Sequence, residues 1–182
     1  MEEHSWIKRL LALIPAIVDD LRASGEMNAG LMREILDFIR GYADRFHHMK
    51  EEDILFDYTD EEAEIIGVIY ADHDRARGFV KAAAQAIEDG DISAFCVNLS
   101  AYRNLLTQHI TKEDEILLPY IDRGLSTHQV GEIFRRFKEA ESEAGDDVPG
   151  KYEGLILELE RQFQDKEIEG CHTPTKDVQA PA

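Results

Sequence analysis

Two short segments of the chain place a histidine four residues before a glutamate. The first pair is His47 with Glu51, and the second is His109 with Glu113. On a helix, side chains four residues apart lie one above the other on the same face. An imidazole and a carboxylate placed in this way offer two ligands to one metal ion. Because the pair occurs twice, the sequence predicts a metal site to which at least two helices contribute.

An internal repeat decides the register of the first pair, since His48 and Glu52 also stand four residues apart. Aligning the two segments matches His47/His109, Lys50/Lys112, Glu51/Glu113, Ile54/Ile116, Leu55/Leu117 and Tyr58/Tyr120. A shift of one residue loses most of these matches and turns the pair by about 100° around the helix. We therefore predict that His47 and Glu51 face the site, and that His48 and Glu52 face elsewhere.

Both pairs lie in long segments with the apolar spacing of amphipathic helices, and no segment alternates as a strand would. We predict helices over about 5–23, 29–58, 59–88, 93–121, 126–144 and 151–168. Capping boxes are predicted at Thr59 with Glu62 and at Ser126 with Gln129. Long helices joined by short turns indicate an all-α protein with an up-down-up-down four-helix bundle and two extra C-terminal helices.

The predicted helices suggest a division of the chain into three parts. Residues 1–124 form the bundle, and residues 125–168 form a helical extension that packs on it. Residues 169–182, which include Cys171 and His172, have no periodicity and are predicted to be a disordered tail.

The charge balance of the chain restricts its partners. Asp and Glu number 38 against 20 Lys and Arg, which gives a net charge of −18. Such a surface disfavours nucleic acid and anionic membranes, whose phosphates attract basic side chains. The chain contains 2 cysteines, too few for a disulfide framework or a cysteine-rich metal site. No apolar run is long enough to span a membrane, and we expect a cytoplasmic protein.

Two further histidines complete a set of candidate ligands. His4 lies at the start of the first predicted helix and His73 lies on the apolar face of the third. Each bundle helix thus contributes one imidazole, and two helices also contribute a carboxylate. Imidazole suits Zn, Cu, Fe and Ni, and a carboxylate can bridge two ions, so the set fits a dinuclear centre. A single zinc ion would need only three or four of these groups.

Four segments in order carry a resemblance to a known family. They are Glu-Glu-His-Ser-Trp-Ile-Lys-Arg-Leu-Leu from residue 2, His-His-Met-Lys-Glu-Glu-Asp-Ile-Leu-Phe from 47, Ala-Asp-His-Asp-Arg-Ala-Arg from 71, and His-Ile-Thr-Lys-Glu-Asp-Glu-Ile-Leu-Leu-Pro from 109. Together they resemble hemerythrin-like (HHE cation-binding) domains over about residues 1–125. The resemblance implies two non-haem iron ions that are oxo- and carboxylate-bridged. It assigns Glu51 and Glu113 as bridges, His4 and His47 to one iron, and His73 and His109 to the other.

The chain departs from the oxygen-carrying hemerythrins at two positions. Arg77 stands where their third helix has a fifth histidine ligand, and Glu113 replaces an aspartate bridge. The resemblance then implies an open position on both ions. Arg77 either pairs with a carboxylate above the site or faces solvent. His48 is either a solvated neighbour or a substitute for the missing histidine.

The predicted function is binding or sensing of O2, NO or peroxide at an open diiron site. One alternative is an enzyme that detoxifies peroxide or NO or repairs iron–sulfur centres, and a second is iron storage or buffering. Zn or Mn could take the same ligands. The sequence identifies neither a protein partner nor an electron donor, and it predicts no interaction with nucleic acid or membrane.

Overall fold

The computed structural model describes residues 2–59, 63–145 and 147–170, and these residues form helices with no strand among them. The α-helices are α1 (Glu2–Ser24), α2 (Ala29–Phe38), α3 (Glu64–Asp89), α4 (Ile92–Lys112), α5 (Leu118–Gly124), α6 (Thr127–Ala144) and α7 (Val148–Gly170). The all-α fold predicted from periodicity is confirmed.

Two of the four bundle helices change their winding near the histidine–glutamate pairs. After α2 the chain forms π-helix over Ile39–His48 and again over Glu51–Leu55, and it ends in a 3-10 turn at Phe56–Tyr58. After α4 it forms π-helix over Glu113–Leu117 before α5. We predicted regular α-helix at these positions. A π turn holds an extra residue per turn, so it shifts which side chains face the core, and such turns are frequent at functional sites.

The bundle helices pack around a closed ring. α3 packs along α4, α4 packs along α1, and the second helix contacts α3 and α1. The connection between α3 and α4 is tight, because Gly90 adopts a left-handed conformation with φ 68° and Asp91 caps the next helix through the amide of Ala94. Short connections between sequential neighbours give the predicted up-down-up-down bundle.

One of the two predicted capping boxes is confirmed. Ser126 accepts a hydrogen bond from the amide of Gln129, whose side chain reaches back to the amide of Ser126. The other prediction is wrong. α3 begins at Glu64, and the Thr59 hydroxyl donates to the carbonyl of Phe56, so Thr59 ends the preceding turn. Glu62, its predicted partner, lies outside the described residues.

Buried apolar side chains form two clusters on either side of the predicted ligands. For example, Leu106 of α4 belongs to the larger cluster, and Leu117 of the π-helix that follows α4 belongs to the smaller one beyond Glu113. No α1 residue belongs to the smaller cluster, because α1 begins close to the level of His4. Ile133 of α6 packs there instead. The ligands therefore sit between two dry layers, one of which α6 helps to close.

α7 covers the larger cluster from outside and is fixed by polar contacts. Arg9 donates to both carboxylate oxygens of Glu160, at 2.7 and 2.5 Å. Tyr152 is buried against the π-helix and donates to Asp37 over 3.1 Å. A Cβ at Gly41 would lie 1.9 Å from the Tyr152 hydroxyl, so only glycine allows this approach.

We expect Gly41→Ala to lower the free energy of unfolding by about 1–3 kcal/mol, since overpacking forces the Tyr152 ring to move. Gly78→Ala is the control, because a Cβ at Gly78 meets nothing within 4 Å. That change should stabilise α3 by about 0.5–1 kcal/mol. Urea unfolding of both variants measures the difference, and equal effects of the two substitutions would contradict the packing described.

Three further predictions concern the domain division, the C-terminal tail and the membrane. The division into domains at residues 124 and 168 stays a prediction. Cys171 and His172, with the rest of the predicted tail after Gly170, lie outside the described residues. Within the part of the chain that is described, no helix is long and apolar enough to cross a membrane.

Candidate metal centre

The structure brings the six predicted ligands together in the middle of the bundle. The groups His4, His47, Glu51, Glu113 and Glu51, His73, His109, Glu113 each place one candidate ligand atom per residue within 4.8 Å of all the others. All six side chains are buried, with at most 2% of their surface exposed. The two groups share both glutamates, and each group could hold one metal ion.

The histidines meet as two pairs through their Nε2 atoms. His4 Nε2 lies 3.0 Å from His47 Nε2, and His73 Nε2 lies 3.2 Å from His109 Nε2. Two imidazole ligands at about 2.1 Å from one ion would place their nitrogens about 3.0–3.4 Å apart for ordinary bond angles. The spacing of each pair is therefore that of two ligands on one ion.

A carboxylate from another helix approaches the outer ring nitrogen of each histidine. The four approaches are His4 Nδ1 to Asp114 Oδ1 (2.9 Å), His47 Nδ1 to Glu3 Oε2 (2.8 Å), His73 Nδ1 to Glu52 Oε1 (2.5 Å) and His109 Nδ1 to Asp72 Oδ2 (3.7 Å). An ionised carboxylate only accepts hydrogen bonds, so Nδ1 must carry the proton in the three shorter contacts. The Nε2 lone pair of those rings then points inward, as metal-bound histidines require.

Each of these carboxylates is paired in turn with a cation. The cations are Lys8 on Asp114 (2.7 Å), Lys50 on Glu3, Arg77 on Glu52 (2.8 Å) and Lys112 on Asp72 (2.6 Å). A neighbouring cation keeps a carboxylate ionised. Burial alone would raise the pKa of Glu3, yet its contacts with His47 and Lys50 hold that pKa below its ordinary value. The cations thereby support the carboxylates that fix the tautomer of His4, His47 and His73.

We did not predict these outer carboxylates, although the sequence contains a signal for them. An acid directly precedes the histidine in α1 and in α3, as Glu3 and Asp72. An acid directly follows the glutamate in both copies of the internal repeat, as Glu52 and Asp114. The four carboxylate–histidine contacts therefore form two similar halves, as the two histidine pairs do. Recognising them requires knowing which helices are neighbours.

Each buried glutamate presents one oxygen to each histidine pair. Glu113 Oε2 lies 3.2 Å from His4 Nε2, while Glu113 Oε1 lies 2.9 Å from His109 Nε2. Glu51 does the same at longer range, with Oε1 3.9 Å from His47 Nε2 and Oε2 3.6 Å from His73 Nε2. Within the described part of the chain, none of the four carboxylate oxygens has a hydrogen bond of acceptable geometry. This is the placement expected of carboxylates that bridge two ions.

The pKa values of Glu51, Glu113 and His47 are shifted from their ordinary values. Burial, together with the neighbouring Glu113 carboxylate, raises the pKa of Glu51 well above its ordinary value. Burial opposes ionisation of Glu113 too, but contacts from His109, His4 and His73 hold its pKa well below the usual range. Burial also lowers the pKa of His47, which keeps this imidazole neutral and available to a metal.

The prediction that Glu52 and His48 face away from the site is wrong for both residues. Glu52 contacts His73 Nδ1. His48 is 2% exposed, and neither ring nitrogen has a hydrogen-bond partner among the described residues. Its ring stacks on His73 with centroids 4.0 Å apart. The physical reason is the π-helix over Ile39–His48, which brings two consecutive histidines to the interior.

Arg77 pairs with carboxylates, which was one of the two alternatives. Its guanidinium lies 2.8 Å from Asp44 Oδ1 and 2.8 Å from Glu52 Oε1. It lines a cavity of about 430 Å³ that also touches His48 and the hydroxyl-bearing side chain of Tyr102. The Tyr102 hydroxyl is buried and has no hydrogen-bond partner in the described part of the chain.

We expect Glu52→Ala to weaken metal binding by about 10- to 100-fold, because His73 loses the group that orients it. Competition with a coloured chelator measures the dissociation constants. Glu88→Ala is the control, since Glu88 is exposed and is paired with exposed Arg33, away from the candidate ligands. An affinity for metal that is the same in both variants would show that Glu52 does not support the site.

Comparison with known proteins agrees with the geometry. The family model described as "Hemerythrin HHE cation binding domain" matches residues 1–121 of the chain. The chain therefore belongs to the hemerythrin HHE cation-binding domain family. Uncharacterised proteins of Mycobacterium bovis and Mycobacterium tuberculosis are 22% identical to it over 150 residues, which cover 78% of this chain and 59% of each relative. The chain thus spans well under two thirds of the length of those relatives. No solved structure gives a significant match.

Proposed function

We propose that the chain binds two non-haem iron ions and uses them to bind O2, NO or peroxide. One ion would be held by His4 and His47 and the other by His73 and His109, with Glu51 and Glu113 bridging them. The observation that carries this proposal is the short distance between the two Nε2 atoms of each histidine pair, 3.0 Å in one pair and 3.2 Å in the other. Nitrogens that both present lone pairs repel each other unless a cation lies between them.

The residues present fit such a centre. The outer carboxylates set the tautomer of His4, His47 and His73. Among the described residues, the inner carboxylate oxygens have no competing hydrogen bond. Both apolar layers exclude water from the ligands, which strengthens the attraction between carboxylates and cations. When bound, iron supplies a redox-active Lewis acid to which a small ligand can attach.

A cavity beside His48 and Tyr102 reaches the outer side of the His48 ring, which stacks on His73, and this is the side from which we propose that a small ligand approaches the centre. The cavity volume of about 430 Å³ exceeds that of a diatomic molecule many times over. Tyr102 lines this cavity, and its buried hydroxyl has no hydrogen-bond partner among the described residues. A buried donor of this kind would stabilise a polar or partly charged ligand.

The test is to load the protein with Fe(II) without air and then add O2, NO and hydrogen peroxide in separate samples. Reversible binding predicts a new absorption spectrum that disappears when the ligand is removed, with the iron content unchanged. Repeated consumption of peroxide or NO with an added electron donor would favour the enzyme alternative. Rapid loss of iron to a chelator would favour storage. An iron-loaded protein whose spectrum responds to none of the three would contradict the proposal.

A further inference from the structure

His48 lies within ligand distance of one histidine pair. One ring nitrogen from each of His48, His73 and His109 falls within 4.8 Å of the other two. The His48 ring is nearly parallel to that of His73, at 14°, and stands edge-on to His109 at 5.3 Å. It is nine-tenths or more buried, and among the described residues neither of its nitrogens has a partner at hydrogen-bond distance. A buried imidazole nitrogen without a hydrogen bond is costly unless its lone pair binds a metal ion.

The surroundings of His48 repeat those of the other four histidines. Asp44 Oδ1 lies 3.6 Å from His48 Nδ1, which matches the 3.7 Å between Asp72 and His109. Arg77 forms an ion pair with Asp44, just as a cation pairs with each of the other outer carboxylates. Asp44 therefore lies on the Nδ1 side of the His48 ring, and Arg77 holds the same Asp44 oxygen at 2.8 Å. This arrangement leaves Nε2 as the ring nitrogen of His48 whose lone pair is available to a metal ion.

We infer that His48 is a fifth imidazole ligand, bound to the ion that His73 and His109 hold. This inference rests on the proposed function. It explains Arg77 as well, because Arg77 no longer replaces a ligand but orients two of them through Glu52 and Asp44. The π-helix over Ile39–His48 supplies the extra histidine from the second helix rather than the third.

The inference changes where a small ligand would bind. One ion has three imidazoles and the other has two, His4 and His47, while both share the glutamates. The open position then belongs to the ion of His4 and His47 alone, and the sequence-based expectation of an open position on both ions is replaced.

The experiment uses full-length protein labelled with 15N-histidine and loaded with Co(II), whose paramagnetism shifts the signals of bound imidazole N–H groups. We expect five such exchangeable signals in the wild-type protein. His48→Ala should remove one signal. It should also lower the affinity for one of the two ions at least tenfold, which is the lower end of the effect of losing a supporting contact. His128→Ala, which alters an exposed histidine in the first turn of α6, should keep five.

Two bound ions with four shifted signals in the wild-type protein would overturn this inference alone. Because that count is made on unmodified protein, the result does not depend on the folding of His48→Ala. Fewer than two bound ions per chain would overturn the proposed function, and the inference with it. Loss of a signal in His128→Ala would also contradict the assignment.

Discussion

Replacing Glu51 and Glu113 together with alanine is expected to abolish binding of the second metal ion. These two side chains are shared by both ligand groups, and each directs one oxygen to each histidine pair. Without them, neither position keeps an inner carboxylate, and two cations would have no anion between them to offset their repulsion. Metal content after loading with excess Fe(II) or Zn(II) and desalting should fall from two ions per chain to one or none.

A matched control for this experiment exists in the same helices. Glu34 and Glu115 are exposed, on α2 and on the π turn after α4. The double substitution Glu34→Ala with Glu115→Ala removes the same charge without touching the centre, so it should retain two ions. Full dinuclear loading of the Glu51→Ala, Glu113→Ala protein would show that the bridging assignment is wrong.

Removing the metal is expected to lower the melting temperature by roughly 8–16 °C. A ligand present at about 1000 times its dissociation constant stabilises the folded state by about 4 kcal/mol. In a chain of this size, each kcal/mol shifts the melting temperature by about 2–4 °C. Calorimetry of the loaded protein, and of the protein after dialysis against a chelator, measures the shift. A melting temperature that is indifferent to metal would argue against binding in this buried centre.

The metal-free protein should also show the effect of Glu51 on stability. Burial and Glu113 raise the pKa of Glu51, so the folded state holds this proton more tightly than the unfolded state does. The stability that this proton provides is present below the ordinary pKa of 4.5 and is lost as pH rises through the folded pKa. Relative to the wild type, metal-free Glu51→Gln should therefore gain stability as pH increases. A difference independent of pH would contradict the raised pKa.

The sequence was sufficient to predict the bundle and the six converging side chains. Apolar spacing of 3.6 residues identified the helices, and the repeat that aligns His47 with His109 selected one register over its neighbour. That choice gave His47 and Glu51 as the pair that faces the site. Both side chains are buried where the two half-sites meet.

The π turns and the contacts between helices could not be predicted in the same way. A π turn is selected by packing against neighbouring helices, so local spacing placed His48 on the wrong face. The outer carboxylates join residues far apart in the chain, such as Glu3 with His47. Pairing them requires knowing the order of the helices around the ring. The acids beside each ligand become recognisable only once that order is known.

The most direct test of the dinuclear centre is the number of iron ions bound per chain. The purified chain would be loaded with excess Fe(II) without air, desalted, and assayed for iron and protein, and its spectrum recorded before and after air is admitted. Two irons per chain, with the near-ultraviolet bands of an oxo-bridged ferric pair after oxidation, is the predicted result. One ion or none would contradict a centre in which two histidine pairs share Glu51 and Glu113.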